Sequence, residues 1–497
     1  MSQMIENFIR LDRHSAESLQ MQIRRQIAIA VVSGRFPPNY ALPSVRGFAQ
    51  RLNVSNNTVS LAYDALRQDG FIASKNRSGY YISPDAHAIR DAAVMRDAAR
   101  EDADRFDFKA HFRGATYDQP RTTKPHDALV RFRFPFICGH VDPNIFPVGA
   151  WRECVRDSVN SLQIRNWAMD FSTVDDPLLV QQLILRVLQP RGIYANPDEV
   201  LITVGGQNAL YIALKLLLSR RGVLGVENPG YPEAANIARM DGHRVRHLPM
   251  DEEGLILSPE ALECGCLYVT TTHQHPTTIT MSEPRRHAFL EKTREKGIFI
   301  IEDDYEAETT FDEKAVPALK ALDRYGNVIY VGSLTKSLMP GLRIGFLVAD
   351  RDFVTEARSF RHHILRHPPI NNQNSVGLFL ERGHFDRFIA RLRQEYIARS
   401  EVMRKALHTY LPELDDRVRF GGSSCSLSFA DMLDTLALQE AAARRSVYFE
   451  ELSKNFENPE DGRSWMRIGY SCIDKALIPE GIQRLSEAVA ELRGLQR

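Results

Sequence analysis

Cysteine is scarce. The chain has six in 497 residues, and the nearest pair, Cys264 and Cys266, stand one residue apart. Zinc knuckles separate their cysteines by two to four residues, and small secreted domains pair theirs densely, so neither scaffold applies. The thiols are expected to be buried and reduced, as in a cytoplasmic protein, and no His/Cys cluster points to a metal. Net charge is also missing: 63 Lys/Arg balance 63 Asp/Glu, so the whole chain argues for no particular partner. No apolar run reaches the roughly 20 residues of a membrane helix. The opening MSQMIENFIRLDRHS has no apolar core, so no secretory signal is expected. No internal repeat is visible. What is present is ordinary globular composition, 43% hydrophobic and 25% charged, in a chain too long for one core. At least two domains are expected.

Charge is local rather than global. Between Ala16 and Ser83 eight Lys/Arg face three acidic residues, a basic module suited to phosphates. A helix is expected from Ser15 or Glu17 to about Ser33, closed by Gly34. Ser44 caps a short helix with Val45, Phe48, Ala49 and Leu52 at i, i+3, i+4 and i+7. Ser55 caps another with Val59, Ala62, Tyr63 and Leu66 at the same spacing. Two short amphipathic helices joined by a tight turn form a helix-turn-helix pattern. Asn56 and Asn57 point away from the apolar stripe, where amides read base edges or hold phosphates. FIASKNRSGYYIS then alternates about a hairpin tip at Lys75, Asn76, Arg77, Ser78 and Gly79.

Residues 84–130 change character. DAHAIRDAAVMRDAAREDADRF is alanine-rich with alternating charge, and RGATYDQPRTTKPHD carries prolines, so a linker is expected. From Arg131 onward, short apolar runs alternate with helical stretches: EVLITVG, GVLGVENP, CLYVTTTH, IFIIEDDYE, NVIYVGSL and RIGFLVAD. That alternation predicts an α/β sheet with ligands beyond the strand ends.

The strand ends carry chemistry. VGGQNAL puts Gly206 and Gln207 where a strand feeds a helix, offering N–H groups to an anion. Tyr231, in NPGYP, is placed to cover a flat aromatic ligand. Asp303 can keep a pyridine nitrogen protonated, whereas Asp304 reads as a strand-end acidic turn. In VGSLTKSLMPGLR, Lys336 supplies a Schiff-base nitrogen between Ser333 and Arg343, which grip a phosphate.

Two resemblances follow. LPSVRGFAQRLNVSNNTVSLAYDALRQDGFIASKNRSGYYI resembles the winged helix-turn-helix of GntR repressors. The resemblance implies that Ser44, Arg46, Ser55, Asn56, Asn57, Thr58, Lys75, Arg77, Ser78 and Gly79 face double-stranded DNA. Asn56 stands where that family commonly has arginine. The set from Arg131 onward resembles fold-type I pyridoxal-phosphate (PLP) aminotransferases. It implies that Lys336 carries PLP, Asp303 pairs with the ring nitrogen, Tyr305 meets the ring hydroxyl and Tyr231 stacks. It further implies that Gly206, Gln207, Ser333 and Arg343 hold the phosphate, and that Arg467, in WMRIGYS, forks onto a substrate carboxylate. The family's Asn-Pro-x-Gly is His275-Pro276-Thr277-Thr278 here, so His275 replaces the asparagine beside the ring hydroxyl. Phe171 stands near the usual tyrosine. Retained cofactor binding with little transaminase turnover is the resulting expectation.

The combined layout resembles the MocR/GabR subfamily of GntR regulators. It implies a head at 1–83, a linker at 84–130 and a two-part aminotransferase-like body at 131–497. It also implies a homodimer, operator half-sites and an amine or amino-acid effector sensed on Lys336. A working transaminase with an accessory head, and a regulator sensing PLP itself, are the alternatives.

Overall fold

The computed structural model describes residues 9, 11–13, 17–33, 36–75, 79–87, 119, 128–167, 175–218, 222–310 and 316–495. Ser15, Gly34, Arg77, Ser78, Phe171 and nearly all of 84–130 lie outside them. The chain divides into two compact units, Met1–Phe112 and Arg113–Arg497.

In the first unit, α1 (Leu19–Val32) is capped by Ser18, whose Oγ accepts from the Met21 N–H. The cap therefore lies one residue beyond Glu17, because Ser18 is the extended residue with an acceptor in reach. Helix α2 (Val45–Leu52) starts at Ser44, and α3 (Asn56–Gln68) starts at Ser55. Asn53 turns between them with φ +51°, a left-handed conformation asparagine tolerates. Phe48, Ala49, Val59, Ala62, Tyr63 and Leu66 join Ile23, Ile27, Ile72 and Ile82 in one core. Strands β1 (Ile72–Lys75) and β2 (Gly79–Ile82) pair antiparallel as the expected hairpin.

In the second unit a short β3 (Phe134–Pro135) precedes the main sheet. That sheet contains β4 (Val200–Thr203), β5 (Val223–Asn228), β6 (Arg244–Asp251), β7 (Gly254–Leu255), β8 (Cys266–Val269), β9 (Phe299–Asp304), β10 (Val328–Ser333) and β11 (Gly345–Val348). The order is β4-β11-β10-β9-β8-β5-β6-β7. Strands β6, β5, β8, β9 and β10 run parallel, while β11 is antiparallel to both β10 and β4. All six expected apolar runs form strands. Strand β6, next to the edge, was not anticipated, because RVRHLPMD mixes polar and apolar residues without a continuous apolar run. Helix α4 (Gly206–Leu217) buries Ala209, Leu210, Ala213 and Leu214 on the sheet beside Leu201, Val331 and Leu347.

A smaller antiparallel sheet follows, β12 (Val418–Gly421), β13 (Ser424–Ser428), β15 (Glu450–Glu451) and β16 (Trp465–Gly469), ordered β12-β13-β16-β15. Between them in sequence, β14 (Val447–Tyr448) pairs with β3. Asp304 departs from expectation. It is buried, accepting from Arg191 Nε at 2.8 Å and from Tyr330 Oη at 2.9 Å, so it ends β9 in an ion pair rather than an open turn. None of the six cysteines is disulfide-bonded. Among the described residues, no helix is long and apolar enough to cross a membrane, and no His/Cys/Asp/Glu group could hold a metal ion.

Candidate functional site

A parallel sheet directs its strand ends and following loops to one rim, where backbone groups are no longer used by the ladder. There, a cavity of about 400 Å³ opens. Lys336, Asp303, Tyr305, Tyr231, Gly206, Gln207, Ser333, Arg343, His275 and Arg467 all line it. Residues separated by more than 260 positions thus converge on one volume.

At one end α4 presents its N-terminus. The first N–H groups of a helix have no intrahelical acceptor, and with the helix dipole they make an anion seat. Ser333 Oγ accepts from Thr335 N–H at 3.2 Å, leaving its own proton to donate. Arg343, with φ +50°, lays its guanidinium over the same turn and donates to the Val204 carbonyl at 3.2 Å. Gly345 packs its backbone on this turn: a Cβ there would lie 2.4 Å from the Gly205 carbonyl carbon and 2.7 Å from Gly206 N. Because the obstacle is backbone, Gly345→Ala should cost about 3 kcal/mol by thermal unfolding and abolish anion binding at this end.

The middle is aromatic and acidic. Asp303 accepts from Tyr268 Oη at 2.7 Å. Burial pushes its carboxyl up to about 6, opposed by the Tyr268 hydrogen bond. Such a carboxyl suits a cationic N–H brought in by a ligand. Tyr231 donates to Gln207 Oε1 at 3.0 Å and stands edge-on to His275, with centroids 5.5 Å apart. Lys336 Nζ reaches the opposite wall, where a Cβ on Gly139 would lie 2.8 Å from it.

At the far end Arg467 is buried, donating to Ser424 Oγ at 2.9 Å, to His275 Nδ1 at 3.0 Å and to Tyr305 Oη at 3.3 Å. The Arg467 guanidinium stands at His275 Nδ1 and the Asn455 amide nitrogen stands 3.2 Å from its Nε2, so the ring has a nitrogen neighbour on both sides. Tyr305 donates to the His273 carbonyl at 2.7 Å, so its hydrogen is already engaged. A buried guanidinium so arranged fits a ligand carboxylate.

Several lining residues were not anticipated: Tyr268, Glu306, Thr335, Glu450, Cys138 and His140. Thr335 lies inside the lysine motif and Glu306 just beyond Tyr305, so proximity in sequence was available as a signal. Glu450 carried none, since it reaches the cavity only through pairing with β16.

Behind the cavity Glu227 accepts from Thr270 N–H, Thr270 Oγ1 and Gln274 Nε2, yet burial still raises its carboxyl to about 8. Unfolded carboxyls titrate near pH 4. Between there and about 6 for Asp303, or about 8 for Glu227, the folded chain holds more protons than the unfolded one. Stability therefore falls as pH rises through that window. Thermal unfolding of ligand-free protein should show Tm dropping from pH 5 to pH 8.5, with a shallower drop in Glu227→Gln.

In the head, Arg46, Ser55, Asn56 and Asn57 are exposed. Ser44 Oγ accepts from Gly47 N–H and Ser55 Oγ from Thr58 N–H, so both hydroxyls cap helices. Thr58 Oγ1 pairs with Ser55 Oγ at 2.8 Å. Lys75 ends β1 and Gly79 opens β2, with the tip between them outside the described residues.

Comparison with known proteins agrees with this division. Residues 152–485 match the family described as aminotransferase class I and II, and residues 19–82 match bacterial regulatory proteins of the gntR family. The HTH-type transcriptional regulator TauR of Rhodobacter capsulatus is 37% identical over 95% of this chain and 96% of its own. The probable rhizopine catabolism regulatory protein MocR of Rhizobium meliloti is 28% identical over 97% of this chain and 96% of its own. Among solved structures, the α-aminoadipate aminotransferase LysN of Thermus thermophilus, complexed with N-(5'-phosphopyridoxyl)-L-leucine, superposes with a TM-score of 0.68. It is 27% identical and covers 78% of this chain and all of its own.

Proposed function

The chain belongs to the MocR/TauR-type regulators, a GntR head before an aminotransferase class I and II body, and on that premise we propose that it is a PLP-dependent transcriptional regulator whose body senses a small amine or amino acid. The observation that carries this reading is the convergence of ten residues on one cavity in a body that follows a DNA-binding head. PLP is the cofactor. Gly206, Gln207, Ser333 and Arg343 would hold its phosphate, Asp303 its ring nitrogen, Tyr231 its ring face and Lys336 its aldehyde carbon. When bound, PLP supplies an aldehyde open to amines and a ring that withdraws electrons.

The side chains divide the remaining work. Burial keeps water from Asp303, so its charge acts at short range on a single N–H. Arg467 is pre-oriented by Ser424, His275 and Tyr305, so little rotamer freedom is lost when it receives a carboxylate. With the Tyr305 hydrogen engaged on the His273 carbonyl and Arg467 braced by three side chains, this end of the cavity is set for binding, which suits a sensor.

Such a body regulates only if the effector binds one conformer better than another. A homodimer would bring two heads to paired half-sites. The exposed Arg46 is assigned to phosphate: Arg46→Ala should weaken operator binding across sequences and reduce the log-log salt slope by about 1.

The test is to record the visible spectrum of purified protein with PLP, add amines, and follow operator binding by gel shift. Absorbance that responds to an amine, together with a changed operator affinity, supports the reading. Protein that stays colourless in excess PLP removes it. Multiple turnover with an amino acid and a keto acid would favour a transaminase instead.

A further inference from the structure

The carboxyl assigned to the cofactor's ring nitrogen is held in turn by a tyrosine, whose role rests on the placement of PLP given above. Tyr268 lies in β8, flanked by β5 and β9, and stands opposite Ile301 in the parallel register. Side chains two residues apart share a face of a strand, so Tyr268, Ile301 and Asp303 face the same side. Asp303 stands two residues further along, roughly 6–7 Å at the strand rise, a span that a phenol covers and a shorter side chain does not. The Tyr268 ring is packed with Leu210, Val226, Ile301 and Val331, and only 1% of the residue is exposed. Its ring also stacks beside Tyr231, with centroids 6.4 Å apart and planes at 29°. Its hydroxyl donates to Asp303 Oδ2 at 2.7 Å. The donor thus stands on a central strand, its rotamer fixed by packing.

The charges around Asp303 make that donor matter. Burial and the neighbouring Asp304 push its carboxyl toward the neutral form, and Glu227 is coupled to it with the same sign. Against them stand the Tyr268 hydrogen bond and the Lys336 ammonium. Lys336 is assigned to the cofactor's aldehyde carbon, which leaves Tyr268 as the donor dedicated to Asp303. A hydrogen bond to the charged form favours that form. It also turns the carboxyl, whose terminal torsion is otherwise broad, and leaves Oδ1 for a ring N–H.

We propose that Tyr268 is a positioning residue: its hydroxyl holds Asp303 ionised and turned, and so keeps a proton on the nitrogen of the bound cofactor ring.

The probes are PLP and its analogue with carbon in place of the ring nitrogen. Each is titrated into cofactor-free full-length protein as wild type, Tyr268→Phe, Asp303→Asn and the double variant. Wild type should bind PLP more tightly than the analogue, because only PLP offers an N–H to Asp303. In Tyr268→Phe that ratio should fall about threefold or more, since phenylalanine keeps the ring and its packing while the charge-assisted hydrogen bond weakens. A ratio taken within one variant is insensitive to any overall loss of affinity. In Asp303→Asn the ratio should be near one, and adding Tyr268→Phe should leave it there. Independently, the ring nitrogen's NMR resonance, read with isotopically labelled PLP, should move in Tyr268→Phe from the pyridinium toward the neutral position. A smaller fall in the ratio, or a resonance that stays at pyridinium, would overturn the proposal and leave the Asp303 assignment standing. Wild type that binds both probes equally, or holds a neutral ring nitrogen, removes the Asp303 assignment and this proposal with it.

Discussion

Lys336→Ala is expected to leave a protein that no longer retains PLP through gel filtration, carries no borohydride-fixed label and gives no spectral response to amines. The substitution removes the amine and the three methylenes that carry it beyond Cβ, and leaves the rest of the cavity wall in place. The anion seat at α4, the Arg343 guanidinium and the Asp303 carboxyl all remain, so loss of the cofactor would be traced to the bond to carbon. With non-covalent contacts retained, PLP affinity should fall by about two orders of magnitude or more, near 3 kcal/mol. Peptide mapping of the fixed wild-type protein then decides the matter. A label on any lysine other than Lys336 would sink the assignment, and with it the shared role given to Ser333 and Arg343. The Arg46→Ala salt slope serves as a control, since the head's contacts with phosphate do not depend on the cavity.

Much of this cavity was legible because its parts sit at strand ends flagged by local chemistry. Lys336, Ser333 and Arg343 share one short segment, and Asp303 and Tyr305 share another, so a few residues' spacing carried the information. The head was legible for a similar reason. Phe48 and Ala49, then Val59, Ala62, Tyr63 and Leu66, fall at helical spacing behind serine caps, and all are buried. What stayed hidden depends on long-range pairing. Glu450 occupies a two-residue strand and is brought opposite Arg467 only by sheet register. Tyr268 sits within an apolar run and meets Asp303 because β8 and β9 are neighbours, an order that no local pattern encodes. Asp304 was misread for the converse reason: its partner Arg191 is 113 positions away, so the acidic pair looked like a turn when half of it was an internal ion pair. Strand β6, in which Arg244, Arg246, His247 and Asp251 interrupt the apolar residues, lacked the continuous apolar run that marks a strand covered on both faces.

Arg467→Met should separate the effector's two ends. Methionine keeps much of the arginine stem's volume and removes the charge, so the loss reads the guanidinium rather than a cavity. Charge-assisted hydrogen bonds contribute about 1.5–3 kcal/mol each, and a forked pair with a carboxylate places the expected weakening at about 100-fold for an amino acid. An alkylamine lacking a carboxylate makes no use of Arg467 and should respond within about threefold of the wild type. Stability should also change: His275 Nδ1 and Tyr305 lose a donor in a buried site, a cost of about 1–3 kcal/mol in thermal unfolding. The two effects are separable because the amine comparison is made within a single variant. If amino acid and alkylamine weaken alike, Arg467 braces His275 and Tyr305 and does not receive the ligand. The carboxylate seat must then be sought elsewhere on the cavity wall, with Arg343 and the α4 N-terminus already committed to phosphate.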